Sequence, residues 1–131
     1  MPRGDPLGNR NIIAEGYERG LGFLTGVAID QHFTQRNRQP DMTLLVKTYP
    51  QLLGIGLDEG TAIVVRKSVA EVVGKNSVSF YDGRCEPDPD GKDHIELREG
   101  ESYDLMARKT AERGETGTRN TQDADPARSR D

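Results

Sequence analysis

The sequence predicts an α/β fold, and three observations indicate it. Two apolar runs, Val27–Phe33 and Leu53–Glu59, each end in polar, titratable residues and are typical of buried strands. A segment with helical spacing lies between them, which makes a strand–helix–strand unit over residues 26–57. A series of short β-branched segments follows, which predicts a C-terminal part rich in β-hairpins.

The helix between the two runs is predicted over Asp41–Tyr49. Pro40 suits the first turn of a helix, where its missing N–H is not needed, and the charge of Asp41 is favourable at a helix N-terminus. Pro50 ends the helix, because the residue before a proline disfavours the α region. Four apolar side chains recur at helical spacing along it: Met42, Leu45, Val46 and Tyr49.

The remaining regular structure is predicted as strands, from β-branched and apolar composition bounded by Gly, Pro, Asn and Asp. In chain order the predicted strands are Val27–Asp30, Gln51–Leu57, Thr61–Val65, Ala70–Val73, Ser77–Tyr81, Ile95–Leu97 and Tyr103–Met106. The sequence Gly74-Lys75-Asn76 suits a hairpin turn between two of them.

The two ends of the chain differ from the middle. Residues 1–11 are turn-rich and predict a loop, followed by a short element over Ile12–Tyr17. From Ala107 onward the only apolar side chains are alanines, so residues 107–131 are predicted to be a disordered polar tail. Residues 1–106 are predicted to form the single folded domain.

Composition restricts the class of protein. The net charge of −4 argues against a nucleic-acid partner, since phosphate binding needs a basic face. A single cysteine cannot form an internal disulfide, and no apolar run is long enough for a membrane helix. We expect a soluble protein with no membrane partner and no bound cofactor; the cytoplasm is favoured, and no signal segment is visible at the N-terminus.

His32 and the neighbouring acids Asp58 and Glu59 are the candidate catalytic residues, because chemistry in open α/β sheets lies where strands end. A histidine and a carboxylate are two of the three groups in a nucleophile–base–orienter arrangement. The third is missing: no serine lies in a glycine-flanked turn, and Cys85 lies in a Pro/Asp-rich loop. The ordinary alternatives are a satisfied polar histidine and an acidic turn.

Arg36 and Arg38 follow His32 closely and are candidate substrate ligands, because guanidinium groups bind carboxylates through two parallel hydrogen bonds. Gln31 adds an amide that can orient a substrate. Two solvated surface arginines are the ordinary alternative.

A metal site is the weaker hypothesis. Asp30 and His32, together with His94 and either Asp58 or Glu59, supply the right ligand types, but their spacing matches no zinc signature. We therefore predict no metal ligand.

Two longer segments carry a family resemblance. The sequences from Gly20 to Arg38 and from Pro50 to Val65 resemble the C-terminal half of cyanophycinase-like serine peptidases, which are relatives of the aspartyl dipeptidases. The resemblance covers residues 3–106. It implies the C-terminal part of a sheet like that of class I glutamine amidotransferases, mostly parallel and flanked by helices, with hydrolysis of peptide or isopeptide bonds, at aspartyl residues, by a Ser–His–Glu mechanism.

The resemblance also implies roles for single residues. His32 corresponds to the general base and Glu59 to the acid that orients it. The implied substrate-pocket residues are Asp30, Gln31, Arg36 and Arg38. The nucleophile belongs upstream of residue 1, so the chain is expected to be a fragment that is inactive alone, while the full-length enzyme is expected to bind a peptide or isopeptide substrate and to form a homodimer.

One position departs from the family pattern. Members that degrade cyanophycin carry a further arginine soon after the Arg-x-Arg pair, where this chain has Gln39-Pro40-Asp41-Met42. Another aspartyl peptide therefore fits as well as cyanophycin. The rival functions are a non-enzymatic half-domain that complements a partner chain, a degenerate binding module and, more distantly, a metal-dependent hydrolase.

Overall fold

A computed structural model of the chain describes residues 22–112. The predicted loop over residues 1–11 and the predicted element Ile12–Tyr17 lie outside the described residues. The described part contains one helix and eight strands. Their bounds are β1 Val27–Gln31, α1 Gln39–Thr48, β2 Leu53–Leu57, β3 Thr61–Arg66, β4 Val69–Gly74, β5 Ser77–Asp82, β6 Ile95–Arg98, β7 Ser102–Asp104 and β8 Lys109–Ala111.

The strands form two four-stranded sheets. Sheet A has the order β1-β2-β5-β6, with β1 parallel to β2 and the other pairs antiparallel. Sheet B has the order β3-β4-β7-β8 and is antiparallel throughout. The predicted α/β class is confirmed. The resemblance also implies a mostly parallel sheet like that of glutamine amidotransferases. This stays a prediction, because among residues 22–112 sheet A has one parallel pair, β1 with β2, and two antiparallel pairs.

The β1–α1–β2 unit forms as the local signals predict. Helix α1 begins at Gln39, two residues before the predicted start, and Pro40 lies in its first turn. Tyr49 N donates to Leu45 O at 2.8 Å beyond the last helical residue, and Pro50 follows. The register pairs Val27 with Leu53, which brings the C-terminal ends of β1 and β2 together.

Sheet A is buried on both faces. On one face, buried side chains of β1, β2, β5 and β6 pack against sheet B, whose contributions include Val72 and Tyr103. On the other face, Met42, Leu45 and Val46 of α1 pack over β1 and the end of β5. Because both faces are covered, β2 is a continuous apolar run rather than an alternating one.

The predicted hairpin at Gly74-Lys75-Asn76 is wrong. The strand before it, β4, belongs to sheet B, and the strand after it, β5, belongs to sheet A, so this segment crosses between sheets. Strand β5 pairs with β2 and β6 instead, because its apolar side chains Val78 and Phe80 complete the core between the sheets. The hairpin of this region joins β3 to β4, with Lys67 in the left-handed region at φ 56°.

Strand β8 extends the folded part of the chain beyond the predicted domain boundary at residue 106. It pairs with β7, and its Ala111 is buried. Backbone hydrogen bonding and this one small side chain stabilise the strand, although its composition is polar. Residues 113–131 of the predicted tail lie outside the described residues. No helix in the described part of the chain is long and apolar enough to cross a bilayer.

Two glycines of β2 allow neighbouring side chains to lie directly on the sheet. A Cβ at Gly56 would overlap the ring of Phe33, which is fully buried against the strand. A Cβ at Gly54 would meet the thioether of Met42 at 2.6 Å and a methyl group of Val46 at 2.9 Å. Phe33 directly follows His32, so the glycine at 56 lets the residue after His32 pack its ring directly on β2.

We expect Gly56→Ala to lower the free energy of unfolding by about 1–3 kcal/mol, because the rigid Phe33 ring must move away from the new methyl group. Gly54→Ala is the matched comparison. It should cost less, because the flexible Met42 side chain can adopt another rotamer. The Val46 methyl group, at 2.9 Å, also overlaps less than the Phe33 ring does at Gly56. Urea denaturation of the two variants measures the difference, and an equal or reversed order contradicts the packing described.

Candidate functional site

His32 and Glu59 lie together at the C-terminal ends of the parallel strands β1 and β2. His32 Nδ1 is 3.6 Å from Glu59 Oε1. The two side chains are 44 % and 62 % exposed, so both are accessible to solvent. The distance allows an ion pair but exceeds a hydrogen bond, and such contacts often shorten only when substrate is bound.

The backbone of His32 is in the left-handed region, with φ 54°. This conformation is unusual for a residue with a Cβ, and such residues cluster at functional sites. The turn that follows is closed by Arg36 N donating to His32 O at 3.0 Å, and Phe33 N donates to Leu57 O of β2 at 3.0 Å. The strand therefore ends at Gln31, and the side chain of His32 is directed by the turn rather than by the pleat of β1.

The two neighbouring acids have different surroundings, which the sequence alone does not distinguish. Asp58 is 8 % exposed and accepts hydrogen bonds from Thr34 and Ser77. Glu59 is exposed and faces His32. The geometry therefore makes Glu59 the carboxylate that can orient the histidine, whereas the oxygens of Asp58 are engaged elsewhere.

Thr34 and Gln35 belong to the site and were missed by the sequence reasoning. Thr34 Oγ1 donates to Asp58 Oδ1 at 2.8 Å. Gln35 Oε1 accepts from the backbone N–H of Glu59 at 3.0 Å. Each contact joins residues that are 24 positions apart in sequence, so no local sequence pattern predicts it. The one sequence feature that could have indicated Thr34 and Gln35 is that they are polar residues close after a candidate catalytic histidine.

Asp30 and Arg38 form a buried ion pair beneath the site. Arg38 Nη1 lies 3.3 Å from Asp30 Oδ1, and each side chain is 4 % exposed. Asp30 Oδ2 accepts no hydrogen bond from the described residues. Burial raises the pKa of Asp30 above its usual value, although the charges of Arg38 and then Arg36 partly oppose this shift.

The four predicted substrate residues therefore divide into two pairs. Gln31 and Arg36 are exposed, whereas Asp30 and Arg38 are buried against each other. The burial of Arg38 was not foreseen, because its partner lies on β1 and the loop before α1 has to fold back onto that strand. The assigned substrate roles of all four stay predictions.

The metal hypothesis finds no support in the geometry of the described residues. His94 Nδ1 lies 3.1 Å from Asp93 Oδ1, and its ring stacks on Tyr81 with centroids 4.6 Å apart. His32 pairs with Glu59 instead. Among residues 22–112, no three His, Cys, Asp or Glu side chains are arranged to hold a metal ion.

Cys85 is exposed and, within the described residues, has no hydrogen bond to a histidine that could activate it as a nucleophile. Its thiol donates to Asp82 Oδ2 at 3.6 Å, and burial together with the nearby Asp82 carboxylate raises the pKa of Cys85. The reactive thiolate is thus disfavoured. Within the described residues, no serine hydroxyl forms a hydrogen bond with His32 either.

Comparison with curated proteins identifies relatives for part of the chain. It is 42 % identical to a cyanophycinase of Geminocystis herdmanii over 67 residues, which are 50 % of this chain and 25 % of that protein. It is 44 % identical to a cyanophycinase of Trichormus variabilis over 75 residues, 56 % of this chain and 24 % of that protein. About half of this chain is homologous to cyanophycinases.

The cyanophycinase relationship confirms the predicted resemblance over about half of the chain, which is less than the predicted residues 3–106. A third relative, the cyanophycinase of Synechococcus elongatus, is 39 % identical over 77 residues, 58 % of this chain and 23 % of that protein. The chain thus spans about a quarter of the length of the curated cyanophycinases that it matches. No protein-family model matches the chain.

The strain at His32 can be measured. We expect His32→Gly to raise the free energy of unfolding by about 0.5–1 kcal/mol, because glycine adopts positive φ without a steric penalty and the exposed pair with Glu59 adds little stability. Asn37→Gly is the matched control at φ 53°; asparagine tolerates this region, so its gain should be smaller. A loss of stability in His32→Gly alone contradicts the strain.

The titration of Asp30 provides a second prediction. Because the pKa of Asp30 is raised in the folded state, the folded state binds more protons than the unfolded state over a range of pH. This range begins near 3.8, the ordinary pKa of an aspartate. Within this range Asp30 makes the free energy of unfolding fall as pH rises. We expect Asp30→Asn to remove that contribution, so the free energy of unfolding of the variant should rise more steeply with pH. Urea denaturation at successive pH values measures the slopes, and equal slopes contradict the assignment.

Proposed function

We propose that this chain contributes the general base and the orienting acid to a cyanophycinase-like serine-type peptidase site. The observation that carries the proposal is the placement of His32 beside Glu59, at 3.6 Å, where two parallel strands end. This is the position at which catalytic groups occur in open α/β sheets. The homology to cyanophycinases supports the same assignment.

In the proposed reaction, His32 takes the proton of a serine hydroxyl as it attacks the scissile carbonyl, and then protonates the leaving amine. Glu59 orients the imidazole and stabilises the imidazolium that forms between these steps. The side chains are 44 % and 62 % exposed, so a substrate and a serine can approach them. The bonds cleaved are peptide or isopeptide bonds, at aspartyl residues.

Substrate recognition is proposed for the exposed residues Arg36 and Gln31, which lie within a few residues of His32. The guanidinium of Arg36 suits a substrate carboxylate, and the Gln31 amide supplies both a donor and an acceptor. Asp30 and Arg38 are proposed to support this surface from below, since their charges already face each other.

The nucleophile is proposed to come from polypeptide outside the described residues. The relatives are about four times as long as the matched segment, which leaves ample chain for a serine-bearing part of the sheet. Without a serine, the base and the acid cannot form an acyl-enzyme. Residues 22–112 alone are therefore expected to be inactive.

A second candidate function is a non-enzymatic half-domain completed by a partner chain. The observation that favours it is strand β1, which pairs only with β2 among the described residues. Val27 and Ala28 of β1 are nevertheless buried, as in an interior strand, and the strand lacks the lysines and prolines that protect natural edges. A partner strand fits such an edge.

We expect the purified chain to hydrolyse neither β-aspartyl nor α-aspartyl dipeptides, and turnover to appear when it is mixed with the non-matching part of the Geminocystis herdmanii cyanophycinase. His32→Ala should then reduce turnover by about 10³-fold or more, because the general base is lost. Release of the amino-acid products measures the rates.

His94→Ala is the matched control, since it removes the other histidine–carboxylate pair of the described part, His94 with Asp93, and should leave most turnover. Circular dichroism establishes that both variants fold. A stable mixed complex without turnover favours the half-domain, and equal effects of the two substitutions contradict the role of His32.

A further inference from the structure

We propose that Asp58 is a positioning residue whose buried carboxylate holds the turn carrying His32 and so keeps His32 in its left-handed conformation beside Glu59. The inference deepens the proposed function and rests on it for the role of His32. Asp58 itself contacts neither His32 nor, in this proposal, the substrate.

The two oxygens of the Asp58 carboxylate connect different elements. Oδ1 accepts hydrogen bonds from the Thr34 backbone N–H at 3.1 Å and from its hydroxyl at 2.8 Å. Oδ2 accepts from the Ser77 hydroxyl at 3.0 Å, which fixes the carboxylate to β5. Since three hydrogen bonds from two elements converge on this carboxyl group and the side chain is only 8 % exposed, the connection is rigid.

The turn after β1 needs such an anchor. Its own backbone bonds, from Arg36 N to His32 O and from Asn37 N to Thr34 O, close the turn but do not fix it against β2. The bond from Phe33 N to Leu57 O, the Thr34–Asp58 bonds and the bond from Glu59 N to Gln35 Oε1 do so, and the Thr34–Asp58 bonds are the ones whose acceptor is buried. A left-handed residue persists only where its surroundings over-determine it, and these bonds start at the residue directly after His32.

Glu59 is fixed by the same region of the molecule. It directly follows Asp58, its N–H donates to Gln35 in the His32 turn, and its carbonyl accepts from Asn76 Nδ2 at 2.7 Å. The base and the acid therefore lie on two segments that are held against each other on both sides of the pair. Releasing Asp58 from Thr34 is expected to move His32 while leaving Glu59 attached to Asn76.

The test is made by NMR on the purified chain, with the one-bond Cα–Hα coupling of His32 as the readout, because this coupling distinguishes positive from negative φ. In Asp58→Ala we expect the coupling to change to that of negative φ and the Thr34 amide to exchange with solvent at least about tenfold faster. Asp58→Asn should restore both values, since the amide oxygen can accept from Thr34 and its NH₂ can donate to Ser77.

Ser77→Ala is the control for a purely structural role. It removes the bond on the β5 side, so it should lower stability while leaving the His32 coupling unchanged. If Asp58→Ala does not fold, Thr34→Val replaces it, because this variant loses only the hydroxyl bond and should show a smaller change of the same kind.

An unchanged His32 coupling and Thr34 exchange rate in the folded variants overturn the proposal, as does an equal change in Ser77→Ala. These readouts concern the geometry of His32 and require no turnover. A failure of the proposed peptidase function, seen in the mixing experiment, is thus distinguished from a failure of the positioning role.

Discussion

The parallel pairing of β1 with β2 is the constraint on which the rest of the structure depends. Its register pairs Gln31 with Leu57, so the residues that follow the two strands, from 32 and from 58 onward, lie side by side. Helix α1 makes the crossover and covers one face of the pair, while sheet B covers the other. Because both strands end at the same edge, a histidine and a carboxylate that are 27 positions apart in sequence become neighbours at 3.6 Å.

The buried and the exposed charged side chains have different roles at the site: the buried ones hold the chain after β1 in place, and the exposed ones are accessible to a substrate. The buried acids, Asp30 and Asp58, are each engaged by groups of the turn and loop after β1, whereas Glu59 and His32 remain accessible. Burial of a carboxylate is costly unless its oxygens are hydrogen-bonded or paired. Asp58 meets this condition with three hydrogen bonds from protein groups, while Asp30 meets it through one oxygen paired with Arg38. Burial raises the pKa of Asp30 despite this pairing.

The local elements could be predicted from the sequence, and the long-range pairings could not. Pro40 and the spaced apolar residues Met42, Leu45 and Val46 determine α1 nearly by themselves. In contrast, Gly74-Lys75-Asn76 has the composition of a hairpin turn, and only the burial of β5 in the other sheet decides against it. Strand β8 was missed because a polar edge strand carries almost no hydrophobic signal. At the site, the residues alone indicated His32 and an acid after β2, and the family resemblance implied Glu59. The burial of Arg38 and the contacts of Thr34 depend on tertiary structure.

The alternation of the chain between the two sheets has a consequence for cooperativity. After β4 the chain enters sheet A for β5 and β6 and then returns to sheet B for β7 and β8, so neither sheet is a continuous stretch of sequence. The stacked rings of Phe80 and Tyr103, with centroids 4.1 Å apart, join the sheets at their centre. The two sheets share one hydrophobic core, so unfolding of one sheet would expose the apolar side chains of the other. It would also stretch the segments β4–β5 and β6–β7 that connect the sheets, so one sheet cannot unfold while the other stays folded. The site at the end of β1 and β2 therefore shares the stability of the whole folded unit rather than belonging to a separately melting part.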